Sequence, residues 1–310
     1  MAYPRVTVVI PAYNAVRTVE RALASVWLQD YPELEIIVID DGSTDDTAAC
    51  VRGIANSNLR LIRLDVNRGE CAAMNVGIRE ASTDYIAFLD ADDEWLENKL
   101  FKQLPVIESH PEMSFISCGG EALDPSGNIV ATFGLQPPAY SPSEFWRGLL
   151  LKSHIAKPSV VARRAKLLEA GGFDEALTIS GDQDMWIKLA LSGEVGFVPE
   201  VLIRVHTTFD SLMDRYGGRE DEFSLPMIHE HLSRIGCRLS KREVRQILGE
   251  RYARTGRNIY HRGRRTRGAG LVILAVLLGN QPLENLSYLV SAAPPMIRLK
   301  KHFRSKSRSS

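Results

Sequence analysis

No apolar run in this 310-residue chain reaches the ~18 residues that a membrane-spanning helix needs. The longest late run, Leu271–Leu278, suits a core or interfacial helix instead. Cysteine is scarce. Cys50, Cys71, Cys118 and Cys237 are scattered and lack metal-ligand spacing, which excludes a disulfide scaffold and a cysteine-held zinc. They fit a reducing compartment, as small buried hydrophobes. Net charge is also missing, since 38 basic residues balance 38 acidic ones. The balance is local rather than uniform. No acidic residue follows Glu284, whereas Arg298, Lys300, Lys301, Arg304, Lys306 and Arg308 do. No fixed-period repeat is present, which excludes a solenoid. No long apolar segment follows Arg5, so no signal peptide is expected.

What remains is an ordinary globular composition, 45% hydrophobic and 25% charged, long enough for about two domains. Two acidic clusters, Asp40-Asp41 and Asp90-Ala91-Asp92-Asp93, each end an apolar run, Ile36–Ile39 and Tyr85–Leu89. Such runs read as buried strands, and carboxylates at strand ends need a reason. In an open α/β sheet the carboxyl ends of the strands are where ligands bind. Two carboxylate clusters there suggest a divalent metal with a polar ligand between them.

The surrounding pattern alternates. Val6–Ile10 reads as a strand stopped by Pro11. Val19, Ala22, Leu23, Val26 and Trp27 lie at helical spacing. Glu35–Asp40 is a second strand. Gly42–Asp46 supplies a turn, a hydroxyl N-cap and first-turn carboxylates for a helix to about residue 55. Leu59–Leu64 and Tyr85–Leu89 are further strands, separated by a helix over 72–80. This order predicts βαβ units in a predominantly parallel, doubly wound sheet flanked by helices. Phe115–Leu123 and Ile129–Phe133 predict a hairpin about the Asp124–Asn128 turn. A helix is expected over 182–192, and a basic, helical extension over 216–310. The domain division expected is a catalytic domain over 1–215, with a nucleotide-sugar half (about 1–120) and an acceptor half (about 121–215).

Five segments then occur in order: Val8–Asn14, Ile39–Thr47, Asn67-Arg68-Gly69, Asn75-Val76-Gly77 and Leu89–Asp93. Together with Gly171–Asp174 and Gly181–Trp186 they resemble the inverting family-2 glycosyltransferases of GT-A fold, over roughly the first 210 residues. The resemblance implies transfer of one sugar from a nucleotide-diphosphate donor, UDP- or dTDP-linked, to an acceptor hydroxyl, in cell-surface polysaccharide or glycolipid synthesis. It implies that Pro11, Tyr13 and Asn14 line the nucleotide pocket, where Tyr13 offers a ring face to a base. Asp40 and Asp41 belong to the same pocket, and Asp41 can accept hydrogen bonds from a pyrimidine N–H and a hydroxyl. Asn67, Arg68 and Gly69 could bring backbone N–H groups and a cation to phosphate, though a plain turn explains them equally. Asn75, Asp90 and Ala91 complete the implied nucleotide site.

Asp92 is the implied ligand of a Mg²⁺ or Mn²⁺ ion, with Asp90 on the ribose or the metal and His206 as a third ligand. Asp93 reads as a cap for a helix before Trp95. Asp182 is the implied general base, with Asp184 as the alternative. Glycine stands at 181 where the family usually has glutamate. His154 and Ser159 are candidates facing the acceptor, and Trp186 reads as core. The Gln-x-x-Arg-Trp signature of processive synthases is absent. A nucleotidyltransferase would want a Gly-rich loop with lysine after the first strand, where Pro11-Ala12-Tyr13-Asn14 stands. A receiver-like module and a catalytically silent sugar-nucleotide binder remain as other readings. Expected partners are the nucleotide-sugar donor, a carbohydrate or lipid-linked acceptor and an anionic membrane surface met by the basic C-terminal region, with no nucleic acid. The location expected is cytoplasmic, at the inner membrane face.

Overall fold

The computed structural model describes residues 3–54, 56–135, 140–152, 155–207 and 216–292. His154 and the basic run from Arg298 to Arg308 lie outside them. The chain forms two compact units, residues 1–211 and 212–310.

The first unit is built on a mixed sheet. Strand β1 (Val6–Ala12) is buried along its whole length because a β-branched run covered on both faces has no polar side to present. It pairs in parallel with β2 (Leu34–Asp40), from Val6↔Leu34 to Ala12↔Asp40, and with β4 (Tyr85–Phe88), from Val6↔Tyr85 to Val9↔Phe88. Strand β3 (Leu59–Arg63) adds in parallel to the far edge of β2. The strand β1 passes Pro11 rather than stopping there. Its pairing with β4 ends at Val9↔Phe88, so at Pro11 only β2 accompanies it, and an end position tolerates the missing donor.

Beyond β4 the parallel pattern gives way. Strand β8 (Val161–Arg163) is antiparallel to both β4 and β6 (Met113–Leu123). Strand β6 runs parallel to β9 (Glu194–His206), and β5 (Glu94–Trp95) closes the row antiparallel to β9. The order is β3-β2-β1-β4-β8-β6-β9-β5, with β7 (Ile129–Phe133) forming the expected hairpin on β6. The first four strands are thus all parallel, and β6–β9 is a further parallel pair within an otherwise antiparallel half. The carboxyl ends of β1, β2 and β4 open on one side, where both acidic clusters lie.

Helices cover the sheet by their apolar stripes. In α1 (Val19–Trp27), Val19, Ala22, Leu23 and Val26 are buried. Each large side chain of this kind stabilises the fold by about 1.5–3 kcal/mol. Helix α2 (Thr47–Gly53) lacks the expected hydroxyl cap; the Asp45 carboxylate accepts from the Thr47 N–H instead (3.0 Å). Helix α3 (Glu70–Glu80) follows Gly69, and α4 (Lys99–Glu108), α5 (Phe145–Leu151), α6 (Arg164–Glu169) and α7 (Gly181–Ser192) complete the unit. Trp186 of α7 is fully buried among Phe88, Phe115 and Phe173, with ring centroids 5.6–6.0 Å away. This cluster ties the α7 N-terminal turn to the end of β4.

The second unit holds α8 (Glu220–Ile235), α9 (Lys241–His261), α10 (Arg265–Leu277) and α11 (Pro282–Ala292). A reciprocal cap starts α9: Ser240 Oγ accepts from Glu243 N–H and Glu243 accepts from Ser240 N–H. Val272 and Ala275 of α10 are buried, while Ile273, Leu274 and Leu277 are exposed. No helix among the described residues is long and apolar enough to cross a membrane.

Candidate active site

The turn after β2 and the loop before α3 are laced together. Asp41 accepts from the Arg68 and Gly69 N–H groups, one on each carboxylate oxygen, both at 2.8 Å. These donors therefore face Asp41, although the resemblance aimed them at phosphate. Gly42 makes the approach possible: with φ +70°, a Cβ there would lie 2.6 Å from the Asn67 nitrogen. Asp40 is fully buried, accepts from the Ser43 N–H (3.0 Å) and pairs with Arg63 (3.2 Å), so its visible role is to hold the turn. Asn14, itself at φ +51°, accepts from the Thr44 N–H (2.9 Å) and donates its own N–H to Ser43 Oγ (2.9 Å). Tyr13 is left exposed beside this clasp, free to present its ring, and Pro11 is buried in β1. Arg68 reaches Glu175 (3.2 Å), and Asn67 is exposed.

Asn75 does not face this pocket. Its side-chain nitrogen donates to Phe173 O (2.9 Å) and Glu175 (3.0 Å), and its oxygen accepts from the Phe173 N–H (2.8 Å). The side chain braces the Gly171–Asp174 turn, and its polar atoms are spent there.

The second acidic cluster hangs from the end of β4. Ala91 packs into the core, while Asp90 and Asp92 are partly exposed. Asp93 is buried and accepts from the His206 N–H (2.8 Å). It caps no helix, because Glu94-Trp95 pairs with β9 as a strand. His206 Nε2 meets Glu94 (2.7 Å), which also pairs with Arg21 of α1 (3.0 Å). The imidazole thus faces Glu94 rather than the aspartates.

Two residues that sequence reasoning missed stand at the centre. Lys157 is buried, with its ammonium against both Glu70, the first residue of α3, and Asp90. Its charge acts on four carboxylates: Glu70, Asp90, Asp93 and Asp182. Burial pushes the Asp90 carboxyl up to about 8; Lys157 pulls it back, and Glu70 and Asp92 add to the rise. Asp93 is raised by burial first and by Asp90 and Asp92 next. Burial would raise Glu70 too, but Lys157 wins and holds it below the usual range.

Asp182 sits in the first turn of α7, raised by burial against the pull of the Gln183 N–H and Lys157. A helix N-terminus favours negative charge, so the site keeps its carboxylate ionisable. Asp184, the alternative base, is buried and paired with Lys188 (2.6 Å). Ser159 is also buried, its hydroxyl donating to Ala156 O.

A divalent metal suits this chemistry. Asp90 and Asp92 offer hard oxygen donors, and a dication would favour the ionised forms of carboxylates that burial raises. No group of three or more His, Cys, Asp or Glu among the described residues forms a ready metal cage. Magnesium-type sites need none, since one or two carboxylates share the ion with substrate phosphates.

Residues 7–147 match the family described as Glycosyl transferase family 2. An Escherichia coli UDP-Glc:alpha-D-GlcNAc-diphosphoundecaprenol beta-1,3-glucosyltransferase is 36% identical over 128 residues, 41% of this chain and 50% of that protein. Two longer Rickettsia glycosyltransferases, from R. bellii and R. felis, match over 29% and 33% of their own lengths. Among solved structures, Staphylococcus aureus TarS 1–349 in complex with UDP-GlcNAc superposes with TM-score 0.69 at 20% identity, covering 88% of this chain and 81% of that one. A Pyrobaculum calidifontis mannosyltransferase in complex with GDP-Man and Mn²⁺ gives 0.61 at 20% identity, covering 97% and 84%. At such identities the structural likeness speaks for the fold.

Proposed function

From the premise that this chain belongs to glycosyl transferase family 2 and has a GT-A-type fold, we propose that it transfers one sugar from a UDP- or dTDP-linked donor to an acceptor hydroxyl with inversion. The observation that carries this reading is the convergence of Asp182, on the α7 N-terminal turn, with the Asp90–Asp93 cluster, on the end of β4, around one buried lysine.

The chemistry divides between the two sides. Asp182 takes the proton of the acceptor hydroxyl as that oxygen bonds to the anomeric carbon and the bond from that carbon to the diphosphate oxygen breaks. Asp92 and Asp90 would hold a Mg²⁺ or Mn²⁺ ion, which would supply Lewis-acid stabilisation of the departing nucleoside diphosphate. Tyr13 supplies a ring face to the base. Asp41 keeps the loop at Arg68 and Gly69 closed over that pocket.

The test is a nucleotide-sugar panel with Mg²⁺ or Mn²⁺, followed by NMR of the product. The new linkage should have the anomeric configuration opposite to the donor. Asp182→Asn should keep nucleotide affinity and lower turnover by roughly 10²–10⁴. A retained configuration would refute the single displacement.

The same reading places the enzyme at an anionic membrane surface, with a lipid-linked acceptor. Supporting it, Leu277 and Leu283 are 76% and 84% exposed, and Arg262 and Arg265 are exposed in the same helical unit. Exposed apolar residues and cations in one helical unit suit interfacial binding, and each cation adds about 1 kcal/mol near such a surface. Flotation with anionic vesicles should recover the protein at low salt and lose it with Leu277→Glu/Leu283→Glu. Recovery that is unaffected by both salt and the double substitution would count against the membrane role.

A further inference from the structure

Lys157 is absent from every role assigned so far, yet it is the most confined cation at the site. Its side chain is 6% exposed. The turn that carries it is clamped from three directions. Trp95 Nε1 donates to Pro158 O (3.0 Å), Gln103 Nε2 donates to Ser159 O (2.8 Å), and the Ser159 N–H and hydroxyl both point to Ala156 O. These bonds fix the backbone from which Lys157 projects, and its ammonium is held by Glu70 and Asp90.

Its partners come from different elements. Asp90 ends β4, and Glu70 opens α3. The first turn of α3 packs closely on the start of α7 at Gly181. A Cβ on residue 181 would lie 2.3 Å from Cys71 Sγ.

We propose that Lys157 is a positioning residue that holds Asp90 in reserve, so that a divalent ion is admitted only together with the diphosphate of a donor. The physical reason is competition between like charges for one carboxylate. A dication arriving alone must draw Asp90 away from a buried ammonium and then sit beside that ammonium, unscreened by water. A diphosphate brings the negative charge that lets both cations remain. Glu70 retains Lys157 in place when Asp90 turns to the metal. The result is an enzyme that does not load metal in advance of substrate. This inference rests on the metal-and-donor reading above.

The test reads metal binding, not turnover. Mn²⁺ is titrated into the full chain and followed by the electron paramagnetic resonance signal of the free ion, alone and with UDP, dTDP or GDP. The native chain should bind Mn²⁺ weakly alone and at least about tenfold more tightly with one of the nucleotides. Lys157→Gln should raise nucleotide-free affinity by about tenfold, and adding Asp90→Asn should abolish the gain. A folded Lys157→Gln protein with unchanged or weaker nucleotide-free affinity overturns the proposal. Should that variant not fold, Glu70→Gln serves: with Asp90 left as the acidic partner of Lys157, nucleotide-free Mn²⁺ binding should weaken, and an unchanged value overturns the proposal equally. If a nucleotide tightens Mn²⁺ in the native chain while the variants behave like it, Lys157 loses its role and the metal-and-donor reading stands. If no nucleotide affects Mn²⁺ in any protein, both fall.

Discussion

Lys99 shows how differently two buried lysines can be used. Lys157 is neutralised by two carboxylates, whereas the Lys99 ammonium has no hydrogen-bond partner among the described residues. It lies 4.1 Å from the centroid of the Trp95 ring, and burial pushes its pKa down to about 8. A cation–π contact offsets part of the desolvation cost but not all of it. Lys99→Met fills similar volume without the charge and should raise stability by about 1–2 kcal/mol at pH 7. The sign with pH is definite. Both folded and unfolded chains carry the charge below the folded value, so the gain is full below about pH 8. It disappears above the ordinary lysine value near 10.4, where both are neutral. Thermal melts of the two proteins across that range check it, and a gain that persists at pH 11 would contradict it.

At the scale of elements, α3 and α7 approach closely where Gly181 faces the Cys71 thiol. Gly181→Ala puts a methyl 2.3 Å from Cys71 Sγ and should cost roughly 1–3 kcal/mol. Cys71→Ala removes the sulfur and should recover most of that loss, so the two changes are strongly non-additive. Chemical denaturation of the two single variants and the double one measures the coupling; strict additivity would mean that the helices separate instead. The same pair of helices marks the limit of what could be read from the residues. Strand β1 was legible as an unbroken apolar run, and β2 and β4 because such a run ending in carboxylates fits a buried strand opening on a polar site and little else. Trp186 was legible as core from its helical spacing. Strand β8, three residues long, carries no pattern of its own, and its antiparallel insertion between β4 and β6 is a tertiary event. Lys157 meets Glu70 across 87 residues of sequence, from a stretch with no regular pattern. The aspartates showed themselves locally; their counter-ion could not. The backbone N–H groups of Arg68 and Gly69, expected to face a phosphate, donate to Asp41 instead, a tertiary contact that the local sequence does not display.

For the whole molecule, the acidic centre sets how stability responds to pH. Asp90, Asp93 and Asp182 are all raised by burial. Each binds its proton more readily in the folded chain. Its contribution is therefore complete below the unfolded value near 3.9 and is lost as pH rises through the folded value, about 8 for Asp90. Glu70 and Asp45 are lowered and act the other way, losing their contribution as pH falls through their folded values. In a chelator the melting temperature should rise from about pH 9 to about pH 6 and fall again below about pH 4. Saturating Mn²⁺ with a nucleotide should flatten the upper limb, because a bound cation favours the ionised carboxylates. A melting temperature constant between pH 9 and pH 6 without metal would show that these carboxylates are not strained.

The rings of Phe88, Phe115, Phe173 and Trp186 have a bearing on how such a protein diversifies. They join β4, which leads into the Asp90–Asp93 cluster, to α7, whose first turn carries Asp182. On the proposed reading, the spacing between base and metal side is set by this apolar packing, with the Gly171–Asp174 turn supplying Phe173. Loops around the rim can be lengthened, shortened or exchanged to suit another acceptor while the reach from base to leaving group stays as it was. An engineer wishing to retarget this chain should leave those four rings alone and rewrite the rim.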